Sequence, residues 1–257
     1  MRFRYALLPS ILSLAMLVCT AVVKADTAAP PATKPSGPEP TDVATPKVGE
    51  YAASFMMMHE KFMKRKTEGP IDLLFLGDSI TAGWLGPGKA VWTKNYADLN
   101  VANFGIGGDR TEHVLWRIDN GELDGIHPKV LILLIGTNNI GWPAEEILKG
   151  DLKIVQEIHE KLPDTKLLLM GIFPRGRDPM TPDVAAMREK IKTVNQGLAA
   201  LDDGNKTRFL DISDKFLDAD GKIPADVMPD KPALHPNAKG YQIWADAMAP
   251  LLTDMMK

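Results

Sequence analysis

Five short apolar runs, at residues 71–76, 101–104, 130–135, 166–171 and 208–212, punctuate the chain. Continuous runs of this length, bounded by glycine and polar residues, are the pattern of strands buried on both faces. Between them the period changes to that of a helix. Residues 144–161 place Ile147, Leu148, Leu152, Val155 and Ile158 on one stripe, continued by Leu162, with Glu and Lys opposite. Residues 183–201 repeat the pattern with Val184, Met187, Ile191, Val194 and Leu198. Asp109-Arg110-Thr111-Glu112 reads as a capping box that opens a helix through Val114, Leu115 and Ile118. Pro236-Asn237 opens a last helix carrying Tyr241, Ile243, Trp244 and Met248. An early amphipathic helix holds Tyr51, Phe55 and Phe62 together with Met56-Met57-Met58, whose thioethers are expected in the core. Strand and helix in alternation predict an α/β fold. Its form is a three-layer α/β/α sandwich around a five-stranded parallel sheet, with right-handed crossovers.

The first 47 residues follow neither period. Met1-Arg2-Phe3-Arg4 is basic, residues 6–23 are apolar, and Val23-Lys24-Ala25 ends in a small residue. This is the form of a signal peptide over residues 1–25, cut after Ala25, and it predicts a periplasmic or secreted protein. An uncleaved anchor is the competing reading, against which Ser10, Ser13, Cys19 and Thr20 dilute the apolar stretch. Cys19 is the sole cysteine, and Val18 stands where a lipidation signal needs a small residue. The cleaved chain has no disulfide and no stable membrane association. Residues 26–47 are rich in Pro, Ala and Thr, and predict a disordered linker that buries too little to offset its ordering entropy. Residues 48–257 then form one domain. A net charge of −3 and a pI near 6.0 give no footprint for nucleic acid.

Chemistry collects where the strands end. In open α/β sheets ligands bind at the carboxyl edge. Ser79 follows the first run in Gly77-Asp78-Ser79-Ile80-Thr81, Asn103-Phe104-Gly105-Ile106-Gly107-Gly108-Asp109 ends the second, and Gly136-Thr137-Asn138-Asn139 follows the third. A hydroxyl, a turn whose glycines admit close approach of a backbone N–H, and side-chain amides are the parts that ester cleavage needs beside a base. His235, in Leu234-His235-Pro236-Asn237, supplies an imidazole near the last helix. Thr81 excludes the Gly-x-Ser-x-Gly elbow. His113, His127 and His159 lack metal-ligand spacing, and no metal or other cofactor is assigned. Asp78 is expected to hold loops. Arg175 and Arg177 either approach the crevice or form surface ion pairs, and Trp84 and Trp142 either line a sugar or acyl pocket or pack.

Taken together, Gly77-Asp78-Ser79, the glycine turn, Gly136-Thr137-Asn138-Asn139 and His235 resemble the four blocks of the GDSL/SGNH hydrolases. Asn103 to Asp109, His113-Val114-Leu115-Trp116-Arg117, Asn120-Gly121-Glu122-Leu123, Pro128-Lys129-Val130 and Pro174-Arg175-Gly176 resemble the catalytic subunits of intracellular platelet-activating-factor acetylhydrolase. The likeness runs from about residue 71 to 251 and implies the flavodoxin-like SGNH arrangement of the sheet. It makes Ser79 the nucleophile and His235 the general base. It also assigns the oxyanion hole to the N–H groups of Ser79 and Gly108 and the amide of Asn138. One position departs. The family has its orienting Asp three residues before the His, where this chain has Pro232; Asp230 stands five residues before it. A bulge at Lys231-Pro232 would bring Asp230 to the imidazole; otherwise a carbonyl orients His235 and the site is a dyad. The expected function is an exported serine esterase for short acyl groups, acetyl first, on carbohydrate. A lysophospholipase or thioesterase with the same site and a non-catalytic binding domain are the alternatives, and a flavodoxin-like nucleotide binder leaves Asn138 and His235 unexplained. The expected partner is a small-molecule or carbohydrate ester, and relatives of this kind can form a homodimer.

Overall fold

The computed structural model describes residues 40–257, so the expected signal peptide and most of the expected linker lie outside the described residues. In chain order the elements are α1 (Ala52–Arg65), β1 (Leu73–Gly77), α2 (Ser79–Ala82), α3 (Lys89–Tyr96), β2 (Val101–Gly105) and α4 (Thr111–Asp119). They continue with β3 (Val130–Leu134), α5 (Ala144–Lys161), β4 (Lys166–Met170), α6 (Pro182–Ala199), β5 (Thr207–Leu210) and α7 (Ala238–Met255). All five apolar runs are strands of one sheet, ordered β2-β1-β3-β4-β5, and every neighbouring pair is parallel.

Alternation along each strand divides the core in two. Leu74, Leu76, Leu131 and Leu133 face one side, where α1, α4, α5 and α6 cover them. Leu73, Phe75, Ile132 and Leu134 face the other, under α3 and α7. Aromatic rings fill that second layer, with Trp84 and Trp244 centred 4.9 Å apart and Phe173 5.0 Å from Trp244. This is the three-layer sandwich that alternation predicts. The chain reverses its direction of travel across the sheet at β1, whose Gly77 stands between Gly105 of β2 and Leu134 of β3. The crevice beyond those strand ends is the switch point of the topology.

One helix is new and three local expectations change. Helix α3 was not legible, because its eight residues alternate Lys89 and Lys94 with Val91, Trp92 and Tyr96 too briefly to show a period. Met56 and Met57 do not enter the core: they are 37% and 61% exposed. The buried stripe of α1 needs only Phe55, His59 and Phe62, and Met58 alone of the three methionines packs at its margin. The box expected at Asp109–Glu112 is displaced by one residue. Arg110 is the N-cap of α4 and gives its N–H to His113 Nδ1 at 3.1 Å, while Asn139 Oδ1 accepts the N–H of Thr111 at 3.0 Å. Finally, residues 40–47 lie on the body instead of hanging from it. Thr41 is buried, its carbonyl accepts from Thr111 Oγ1 at 2.8 Å, and the N–H of Thr45 reaches Glu112 O at 3.0 Å. Hydrogen bonds hold this stretch, which apolar content alone could not reveal.

Beneath the crevice lies a buried ion network. Arg117 of α4 is wholly enclosed and donates to Asp109 Oδ2 at 2.6 Å, to both oxygens of Glu122 at 3.0 Å and to Phe104 O at 2.5 Å. His59 meets Glu122 from α1 at 2.8 Å, and Lys47 meets Asp109 at 2.8 Å. Burial alone would draw the guanidinium down, but Glu122 and Asp109 reverse that and raise it, so the cation persists. Removing one member of such a cluster strands charge in a medium that cannot solvate it. Arg117→Met is therefore expected to lower the unfolding free energy by about 3–5 kcal/mol, measured by urea titration. A loss under about 1 kcal/mol would show that the cluster contributes no more than an ordinary hydrogen bond.

Candidate active site

Ser79 is the first residue of α2, and the turn that carries it is fixed by its neighbours. Asp78 caps the helix by accepting the N–H of Ile80 at 2.9 Å. Tyr241 of α7 donates its hydroxyl to Ile80 O at 2.6 Å. Gly105, at the end of β2, lets this turn approach: a Cβ there would stand 2.8 Å from Ala82 Cα.

His235 reaches the serine from the loop before α7, a helix whose N-cap, Asn237, accepts the N–H of Lys239 at 2.9 Å. His235 Nε2 lies 2.9 Å from Ser79 Oγ, and His235 Nδ1 lies 2.8 Å from Asp230 Oδ2. The other carboxylate oxygen of Asp230 accepts the N–H groups of Leu234 at 2.9 Å and His235 at 3.1 Å. The two extra residues form a tight turn, with a cis Lys231-Pro232 bond and the N–H of Ala233 on Asp230 O at 2.8 Å. Asp230, and not a backbone carbonyl, thus meets the imidazole. Burial pushes the Asp230 carboxyl up, but the N–H groups of Leu234 and His235 and the ring of His235 outweigh it and hold the carboxyl below its ordinary value. An ionised Asp230 keeps the proton on Nδ1 and leaves Nε2 free to accept from Ser79.

A cleft of about 750 Å³ opens over this row, lined by Ser79, His235, Gly108 and Asn138, with Val48 and Tyr51 from the segment before α1. Gly108 has φ +73°, a left-handed conformation that suits glycine. The two amides offered by the third strand end divide their labour. Asn138 faces the cleft and gives one N–H to Asp109 O at 2.8 Å; its approach to Asp78 Oδ2, at 3.5 Å, is too long to hold the other firmly. Asn139 is buried and gives its amide to Glu112 at 2.9 Å, so it serves the start of α4.

The remaining expected residues have structural places. Arg175 donates to Thr137 O at 2.9 Å, and Arg177 donates to Ile223 O and Met228 O at 2.8 Å and to Asp230 O at 3.2 Å. Both hold loops through carbonyls, and Arg175 lies within the electrostatic reach of Asp78 and Asp230, so of the two readings open to it approach to the crevice is the one that fits. Trp84 is buried in the aromatic layer, and Trp142 carries the Arg110 guanidinium 5.1 Å from its ring centre. His159 bonds Thr207 at 2.8 Å. His113 lines the cleft, but burial, then Arg110, Lys47 and Arg117, push it down to about 3, so it stays neutral. Among the described residues no group of three or more His, Cys, Asp or Glu gathers as a metal site. The places of Arg177, Tyr241 and Lys47 were not legible in the sequence, since a cation or hydroxyl bonded to a carbonyl leaves no spacing to read.

A hydroxyl, an imidazole and a carboxylate in line at the carboxyl edge of a parallel sheet are the parts of a serine hydrolase. The model of the GDSL-like Lipase/Acylhydrolase family matches residues 75–243, and the chain belongs to that family, the carboxylic ester hydrolases of this fold. Platelet-activating factor acetylhydrolase IB subunit alpha1 of Homo sapiens is 36% identical over 203 residues, 79% of this chain and 84% of that one. The alpha2 subunit of Rattus norvegicus is 38% identical over 188 residues, 73% of this chain and 78% of that one. Among solved structures, a GDSL-like lipase from Bacteroides thetaiotaomicron shares the fold with a TM-score of 0.61 at 16% identity, covering 76% of this chain and 97% of that one. Axe2, an acetylxylan esterase from Geobacillus stearothermophilus, does so with a TM-score of 0.53 at 20% identity, covering 71% and 93%.

Asp78 supplies a pH test. Burial, with Asp109 adding to it and the Ile80 N–H opposing, pushes its carboxyl up to about 7. The folded protein therefore holds a proton that the unfolded chain has released above its ordinary value of 3.8. Stability falls as pH rises between those two values and the penalty is complete above about 7. Asp78→Asn keeps a capping oxygen and removes the titration. Its Tm relative to the parent should climb from pH 5 to pH 8, and a difference that does not vary with pH would place the carboxyl at its ordinary value.

Proposed function

We propose that this protein is an exported serine esterase that removes short acyl groups, acetyl first, from carbohydrate. The observation that carries the catalytic part is the unbroken row from Asp230 through His235 to Ser79, with spacings of 2.8 and 2.9 Å, opening into a cleft. In this reading Ser79 Oγ attacks the ester carbon while His235 Nε2 takes its proton. The N–H groups of Ser79 and Gly108 and the Asn138 amide stabilise the oxyanion. Collapse breaks the bond to the alcohol, which leaves with the proton from His235, and Ser79 retains the acyl group. Water then gives its proton to His235, attacks the acyl carbon and releases the acid, returning the proton to Ser79.

Two supports bear on the substrate. Curated relatives bear the name acetylhydrolase, and one neighbour in fold is named an acetylxylan esterase. The basic and apolar start of the chain favours export, where acetylated polysaccharide is met.

The test is an ester panel, from nitrophenyl acetate to decanoate with acetylated xylan, run on parent and Ser79→Ala enzymes beside a fluorophosphonate label. Labelling and turnover should vanish in Ser79→Ala, and kcat/KM should fall with acyl length. Equal rates on acetate and decanoate would overturn the acetyl preference, and an unlabelled parent would overturn the serine mechanism. In the same assay Asn138→Ala is expected to lower kcat about 10²–10³-fold. Asp230→Ala should cost less than Ser79→Ala, because the orienting acid of a triad is its least costly member to lose. Sequencing of the exported protein should find Asp26 at its start.

A further inference from the structure

We propose that Lys47 is a positioning residue for the oxyanion loop, so that the segment ahead of the family-matched body is part of the active site. The proposal rests on Gly108 N–H being an oxyanion donor, as read above.

Lys47 Nζ makes a hydrogen bond on one side of Gly108 and an ion pair on the other. It donates to Gly107 O at 2.5 Å and meets Asp109 Oδ1 at 2.8 Å. The first of these decides direction. Gly107 C=O and Gly108 N–H belong to one peptide unit, which is planar and trans, so its oxygen and its hydrogen point in opposite senses. A cation that fixes the oxygen therefore fixes where the N–H points. It also polarises the amide and strengthens that N–H as a donor. The ends of the glycine turn are held by the N–H of Ile106 on Gly77 O at 3.1 Å and by Arg117 on Asp109 at 2.6 Å. Packing adds little at the two glycines between them: a Cβ at Gly107 would meet nothing within 4 Å, and one at Gly108 would meet only Lys47 Nζ, at 3.7 Å. Gly108 itself is in a left-handed conformation that few side chains would share.

The lysine is built in. Its side chain is 8% exposed, and its ammonium lies 5.6 Å from the centre of the Phe55 ring. Upstream, Thr41 and Thr45 fasten the segment to the start of α4 through Thr111 and Glu112, and Asp42 pairs with Lys149 at 3.1 Å. On the far side of the turn, Asn138 holds Asp109 O at 2.8 Å. The residue that brackets Gly108 from one side thus faces, across Asp109, the amide read as another oxyanion donor. Removing Lys47 still leaves Asp109 bonded to Arg117 at 2.6 Å, so the fold keeps its buried ion pair.

The experiment compares parent, Lys47→Met and Lys47→Arg in the full chain, with kcat and KM for nitrophenyl acetate, fluorophosphonate labelling rate and Tm. Lys47→Met should lower kcat and the labelling rate about 10–10²-fold, less than loss of a donor itself, with KM changed under about threefold. Lys47→Arg should restore most of the rate, since a guanidinium can still donate to the Gly107 carbonyl. An unchanged kcat in Lys47→Met overturns the proposal. A change confined to KM overturns it by making Lys47 a substrate contact, and a rate loss that follows a fall in Tm overturns it by making the role structural. If the parent itself fails to label, the serine mechanism falls first and this inference with it.

Discussion

The arrangement of the crevice depends on a single buried cation. Arg117 reaches Asp109 in the glycine turn, Glu122 beyond α4, and the carbonyl of Phe104 at the end of β2. It is therefore bonded to the turn on which Gly108 sits and to the strand that leads into it. Taking such an ion from water costs several kcal/mol, and only partners in fixed places offset that. The geometry of the turn is held by that requirement. His59 and Lys47 extend the network at its two ends, from Glu122 and from Asp109. Neither of the buried carboxylates is left to one partner.

The same device recurs in weaker form around the loops. Arg175 bonds the carbonyl of Thr137, Arg177 those of Ile223, Met228 and Asp230, and Arg188 those of Arg175, Gly176 and Gly221. A guanidinium has five donors in a rigid plane and no acceptor, so it can join several carbonyls of irregular backbone at once. Loops at the end of a parallel sheet have many such carbonyls and few ladders to satisfy them. Arginine here substitutes for secondary structure.

What could be read from the chain follows from this division. Strands buried on both faces write themselves as continuous apolar runs, and the five runs lie within two residues of the five strands. Helix α5 begins at Ala144 and ends at Lys161, where its amphipathic stripe does. Ser79 and Asn138 were legible because motif and strand end coincide, and His235 because its motif opens the last helix. The loop of Asp230 was legible only as a choice, since closing the turn takes hydrogen bonds from Leu234 and His235 that no spacing announces. Residues 40–47 were misread for a related reason. Their composition has no apolar weight. What binds them is the Thr41 carbonyl accepting from the Thr111 hydroxyl, and Thr45 and Lys47 donating to carbonyls and a carboxylate far along the chain. Met56 and Met57 failed in the opposite direction: they are apolar residues on a helix face that the described residues leave exposed.

Two aspartates beside Ser79 show how environment, not residue type, sets a role. Asp78 adjoins the serine in sequence, yet it is wholly buried and its carboxyl is pushed up to about 7. Near neutrality it is partly protonated, and its one firm bond, from Ile80 N–H, is that of a helix cap. Asp230 is distant in sequence and partly exposed, with two backbone N–H groups and an imidazole to stabilise its charge. Only a carboxylate that stays ionised can stabilise an imidazolium as it forms. Exchange of the two environments would leave the same atoms near the serine and no group able to hold that charge. The lengthened His235 loop still brings two N–H groups to Asp230, and these stabilise its charge.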